Sequence, residues 1–177
     1  GEDTASHSTY RPVAVYASDV NGDGITELPR AVLMAGYKDT SSSDAVYMLD
    51  WYAYGIGKVP AKVATTYQNI SDAWSLLIDQ KWHDRITAIK ANDGGLSYVE
   101  FFEYRKNKMS IPLFNIYCAT GSNREYYAER TDLIQLGQTT QAIYFAKLTN
   151  EGEQSELALT GDEIKARFSL VNQAWNN

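Results

Sequence analysis

The chain is expected to be an α+β protein, with a β-rich N-terminal segment followed by an antiparallel sheet packed by a C-terminal helix. Three observations predict this. Six short apolar runs between Trp74 and Leu148 are separated by turn signals such as Asn92-Asp93-Gly94-Gly95 and Gly121-Ser122-Asn123, the rhythm of an antiparallel sheet. Thr160-Gly161-Asp162-Glu163 matches a capping box, and Ile164, Phe168, Val171 and Trp175 recur at helical spacing, so an amphipathic helix is predicted from about Asp162 to Ala174. With 177 residues, 44% hydrophobic and 21% charged, the chain has enough apolar side chain for a real core and is not a disordered acidic tail.

Taken in order, residues 1–10 are polar and without period, and read as a linker or frayed end. Residues 11–68 form the β-rich segment. Val13 to Ala17 reads as a strand, Asp19 to Gly24 as a Gly/Asp-rich turn, and Leu28 to Gly36 as the return strand. Val46 to Tyr54 is rich in aromatic and β-branched residues and ends at Gly55, Gly57 and Pro60, with Lys58 to Gln68 as a further strand or connection. Residues 69–177 hold the six apolar runs and the helix, packed as one unit with the first segment. On Tyr98 to Tyr104 both faces are partly apolar, so this sheet needs a cover, which the C-terminal helix is expected to provide. A shorter helix is read at Asn123 to Glu129.

Asp19-Val20-Asn21-Gly22-Asp23-Gly24-Ile25-Thr26-Glu27 places oxygen-bearing side chains at loop positions 1, 3, 5 and 9 with glycine at 6. Those are calcium-loop spacings. A hard cation takes oxygens at about 2.3–2.6 Å, and a tightly wound loop turns alternate side chains and one carbonyl toward a common centre. Asp19, Asn21, Asp23 and Glu27 supply side-chain oxygens, Ile25 its carbonyl, and Gly24 the sharp turn. Turn chemistry alone explains Asn21 to Gly24 but not Asp19 and Glu27. The loop is not an EF-hand, because position 12 is Arg30 where a bidentate Glu is required, and strands rather than helices are predicted on both sides. A bound Ca²⁺ is expected to be structural, offsetting the repulsion of three carboxylates in one turn.

This loop resembles the calcium loop of FG-GAP and VCBS-type repeats, which links two strands in secreted and surface proteins. Together with Leu49-Asp50-Trp51-Tyr52-Ala53-Tyr54, Ser71-Asp72-Ala73-Trp74 and Trp82, it resembles an uncharacterised family of surface lipoproteins of Firmicutes. The resemblance implies an exported, lipid-anchored protein of which this chain is the C-terminal part, an extracellular or cell-surface location, and no established activity. The second half is also similar in pattern to the PsbP-like α/β sandwich.

Composition narrows the function classes. Sixteen Lys and Arg against 22 Asp and Glu give a net charge of −6, and the one compact basic run is Arg105 to Lys108, which argues against a nucleic-acid partner. No apolar run approaches the roughly 18 residues of a membrane span. The single Cys118 excludes an internal disulfide and reads as a buried thiol. His7 and His83 are the two histidines, there is no Gly-x-Ser-x-Gly elbow or phosphate-cradling glycine loop, and Glu100 and Glu103 fall on opposite faces of one strand, so a hydrolase has no complete constellation. Asp84 beside His83 is not expected to present its carboxylate to the ring. The reading is a calcium-stabilised surface module without enzymatic activity. Its alternative is a carbohydrate- or protein-binding domain using exposed aromatics, for which Trp51, Tyr52, Tyr54, Tyr126 and Tyr127 are the candidates.

Overall fold

A computed structural model describes residues 13–41, 44–93 and 96–171. The expected end at residues 1–10, His7, the Gly94-Gly95 turn and the helical positions Ala174 and Trp175 lie outside the described residues.

Ten strands form two five-stranded antiparallel sheets among the described residues. The first contains β1 (Leu28–Leu33), β2 (Tyr47–Ala53), β3 (Ala61–Asn69), β4 (Trp74–Leu77) and, paired to β4, the C-terminal β10 (Phe168–Leu170). The second contains β5 (Ile86–Asp93), β6 (Leu96–Arg105), β7 (Lys108–Thr120), β8 (Ile134–Gln138) and β9 (Ala142–Leu148), in the order β5-β6-β7-β9-β8. One buried cluster joins their inner faces: Met48, Tyr67, Trp74 and Leu76 from the first sheet meet Phe101, Phe114, Ile116 and Tyr144 from the second. Tyr67 stands edge-on to Phe101 with ring centroids 5.4 Å apart, a favoured aromatic geometry. Two sheets that each carry an apolar face bury them most directly against each other.

The α+β expectation is therefore corrected to a β-rich fold of two packed antiparallel sheets. It is not a sheet covered by a helix, nor an α/β sandwich of the PsbP-like kind. The capping box is present, with the Thr160 side chain accepting from the Glu163 amide and the Glu163 carboxylate accepting from the Thr160 amide. The helix it starts, α2 (Gly161–Arg167), nevertheless stops after seven residues, because Phe168 is extended (φ −81°, ψ 138°) and begins β10. Phe168 packs between Trp74, at 5.9 Å, and Tyr144, at 5.6 Å. Burial between two sheets outweighs the helical propensity of one short segment. Ile164 is fully buried, and α2 touches β4, β8 and β9, so it closes one edge of the sandwich.

The predicted shorter helix is seen as α1 (Arg124–Ala128). Tyr127 packs with Leu133 over Ala119, Ile143 and Phe145 on the outer face of the second sheet. The predicted strand at Val13 to Ala17 is absent. Among the described residues the segment contributes an isolated bridge, Ser18 to Glu27, through mutual amide bonds of 3.1 and 2.9 Å, while β1 takes β2 as its ladder partner. A fully buried carboxylate, Glu103, ties the sandwich to the segment before α2: it accepts from Arg105 at 2.5 Å, Arg85 at 3.3 Å and Ser155 at 2.6 Å.

Candidate metal centre

The loop between Ser18 and Glu27 is closed at its base by the Ser18–Glu27 bridge and wound by its own side chains. Asp19 accepts the amides of Gly22 (2.7 Å), Asp23 (3.1 Å) and Gly24 (2.8 Å). Gly22 and Gly24 have φ of 75° and 84°, the left-handed region that glycine enters without a Cβ penalty. Asn21 accepts from the Asp23 amide at 3.1 Å, and its carboxamide donates to the Asp23 carboxylate at 2.9 Å. Asp23 in turn accepts from the Ile25 amide at 2.8 Å. The Gly24 amide is the largest influence on the Asp19 carboxyl; desolvation opposes it, and the amides of Gly22, Asp23 and Asn21 add to it, so the group is held below its ordinary range.

Glu27 differs from the rest. Asp19, Asn21, Asp23 and Ile25 are exposed, whereas Glu27 is 0% exposed. Its Oε2 accepts from the Val20 amide at 2.9 Å, and its Oε1 is buried with no hydrogen-bond partner. An unmatched buried carboxylate oxygen is costly, and the covalent geometry of the carboxylate puts Oε1 at the base of the same loop. Asp19, Asn21 and Asp23 are thus brought into one hydrogen-bonded turn, Ile25 is fixed by its amide, and Glu27 lies beneath. Among the described residues, no three His, Cys, Asp or Glu side chains already converge as a metal cage. Asp19 and Asp23 are turned to backbone amides, and the remaining expected donors, Asn21 and the Ile25 carbonyl, are of another kind. The donor set is all oxygen, which suits a hard cation and not a thiophilic one.

The other candidates stand elsewhere. Cys118 is buried, and burial first of all pushes its thiol up to about 11, so it is a packing residue rather than a nucleophile. Glu100 and Glu103 do occupy opposite faces: Glu103 joins Val99 and Phe101 inside, while Glu100 is reached by Asn115. His83 Nδ1 lies 3.3 Å from Asp84, contrary to expectation, because Asp84 takes a left-handed φ of 57° that swings it back toward the ring. Among the described residues no serine hydrogen-bonds to the pair. Of the aromatics, Trp51 is buried and donates to Thr66 at 2.9 Å, Tyr127 is packed, Tyr54 is exposed just after β2, and Tyr126 is exposed on α1. A groove of about 550 Å³ runs past Lys62, Thr65, Asp79, His83 and Arg167. Its cations are already matched, Lys62 to Asp50 at 2.9 Å and Arg167 to Asp79 at 2.8 Å. No sequence spacing announces it, because its walls come from distant segments.

No family model, curated protein or solved structure matches this chain. No helix among the described residues is long and apolar enough to cross a membrane.

Proposed function

We propose that the chain is a non-enzymatic, calcium-stabilised module of an extracellular or cell-surface protein. The observation that supports this is the fully buried Glu27, one oxygen of which has no partner, at the base of a loop made of oxygen donors. Asp19, Asn21, Asp23, the Ile25 carbonyl and Glu27 would hold the ion. It would supply positive charge to a loop that carries three carboxylates and would fix the register of β1. Millimolar extracellular calcium suits such a site, because extracellular modules bind at roughly 10⁻⁴–10⁻³ M. The surface location rests on this and on the resemblance of the loop to secreted repeats.

Thermal melts in excess chelator and in about 10 mM Ca²⁺ test the reading. A site at the tight end of that range is stabilised by about 2.7 kcal/mol, a rise in midpoint of roughly 5–11 °C for a domain of this size. Glu27→Gln keeps an oxygen for the Val20 amide and removes the buried charge. The variant should match or exceed the parent in chelator and lose most of the calcium response. An unchanged parent midpoint, or an equal rise in both proteins, would overturn the proposal.

A further inference from the structure

Asn21-Gly22 is the one Asn-Gly pair of the sequence, and both residues are exposed in the loop between Ser18 and Glu27. In such a pair the glycine amide nitrogen can attack the asparagine side chain, because glycine has no Cβ to hinder a close approach. The Gly22 nitrogen bonds to Cγ of Asn21, gives up its proton, and Nδ2 leaves as ammonia, so that a cyclic succinimide remains. Water then opens the ring. Hydrolysis at Cγ leaves aspartate at position 21, and hydrolysis at the main-chain carbonyl carbon leaves isoaspartate, in which the backbone runs through the side-chain carbon.

The closed loop opposes the first step at both reacting groups. The Gly22 amide donates to Oδ1 of Asp19 at 2.7 Å, and an amide beside a carboxylate keeps its proton, since losing it would set two negative charges side by side. The Asn21 carboxamide is held by Asp23, accepting from its amide at 3.1 Å and donating to its carboxylate at 2.9 Å. Swinging Cγ toward the Gly22 nitrogen, as attack requires, breaks both bonds. Asp23-Gly24 can form the same ring, and its attacking amide is tied to the other oxygen of Asp19 at 2.8 Å.

We infer that Asn21 is a modification site guarded by Asp19: it persists while the loop is closed and converts to aspartate or isoaspartate when the loop opens. On the calcium reading above, on which this part rests, the ion binds the closed loop and so slows the conversion. Isoaspartate adds a backbone carbon between Asp19 and the donors that follow, which takes Asp23, Ile25 and Glu27 out of register with it. A chain kept without calcium then loses its site for good.

Peptide mapping by mass spectrometry, after incubation in mildly alkaline buffer, follows residue 21 through a mass gain of water less ammonia, and Asp-specific proteolysis separates aspartate from isoaspartate. The urea-unfolded chain should convert readily, and the native chain in chelator about 10- to 100-fold more slowly, the worth of the charge-assisted hydrogen bond. Asp19→Ala in chelator, shown to be folded by circular dichroism, should recover most of the unfolded rate. Asp19→Asn, which keeps the shape and removes the charge, replaces it if alanine unfolds the chain. Calcium at about 100-fold saturation should slow the parent by up to about 100-fold more. No conversion in urea would overturn the site. A native chain as fast as the unfolded one, or a folded Asp19 variant no faster than the parent, would overturn the guard. Equal rates in calcium and chelator, with a calcium-induced rise in melting midpoint, would overturn the link to the ion and leave the calcium module standing. Equal rates with no rise would remove the module as well as the link.

Discussion

Glu27 and Glu103 are both withdrawn from solvent, and their surroundings differ in one respect, the number of donors. Burial works to raise the Glu103 carboxyl, but the Arg105 and Ser155 hydrogen bonds and the nearby guanidinium groups outweigh it and hold the group below its ordinary value. A lowered folded-state pKa contributes stability that is present above the unfolded value, near 4.3, and is lost as pH falls through the folded value. Glu103→Gln should therefore cost about 2–4 kcal/mol at neutral pH, below or within the range for breaking a fully buried pair, because both arginines reach solvent. The gap between parent and variant should close as pH falls below about 4. Urea unfolding at pH 7 and at pH 3 reads this directly, and a gap that is the same at both would show that the carboxylate charge is not what matters. Glu27 has one amide donor where Glu103 has three side chains, and that difference carries the calcium reading. The turn built by Asp19, Asn21 and Asp23 was legible in the sequence because a nine-residue loop is local. That Glu27 alone would be buried was not, since its burial depends on how the loop seats on β1.

Most strands were legible as well, because apolar runs bounded by turn residues survive as β1 to β9 with shifted ends. The failures came where a segment fits two periods. Phe168 and Val171 continue the stripe of Ile164, yet Phe168 and Leu170 also alternate as a strand does, and the free edge of β4 decided the matter. Val13 to Ala17 alternates suitably but joins no ladder among the described residues, and pattern alone cannot supply a partner strand. What remains of the C-terminal helix is short, so its cap matters more than in a long helix. Removing the Thr160 hydroxyl in Thr160→Ala leaves the Glu163 amide without its acceptor and should cost about 1 kcal/mol, a fall in midpoint of roughly 2–4 °C. Thermal denaturation measures it. No change would mean that the burial of Ile164 holds this helix without its cap.

At the scale of the molecule, the shared core has a consequence for how the loop couples to everything else. Ser18 and Glu27 clasp the loop to the start of β1, β1 is laddered to β2, and Met48 of β2 belongs to the cluster that also contains Phe101 and Ile116 of the second sheet. No layer boundary separates the loop from the far sheet. Unfolding is then expected to be one transition, with tryptophan emission and far-ultraviolet circular dichroism falling together. Three buried reporters sample it: Trp51 and Trp74 in the first sheet, and Trp82 in the connection to the second, where its indole donates to the Leu157 carbonyl at 3.1 Å. Calcium should move this single transition upward without splitting it, because an ion that binds only the folded loop stabilises whatever unfolds with that loop. If the sheets were separate units, calcium would raise only the part containing β1 and the two probes would diverge. Coincident curves in chelator that separate in calcium would show that β1 and its loop can leave the sandwich independently, and would confine the stabilising effect of the ion to one edge strand.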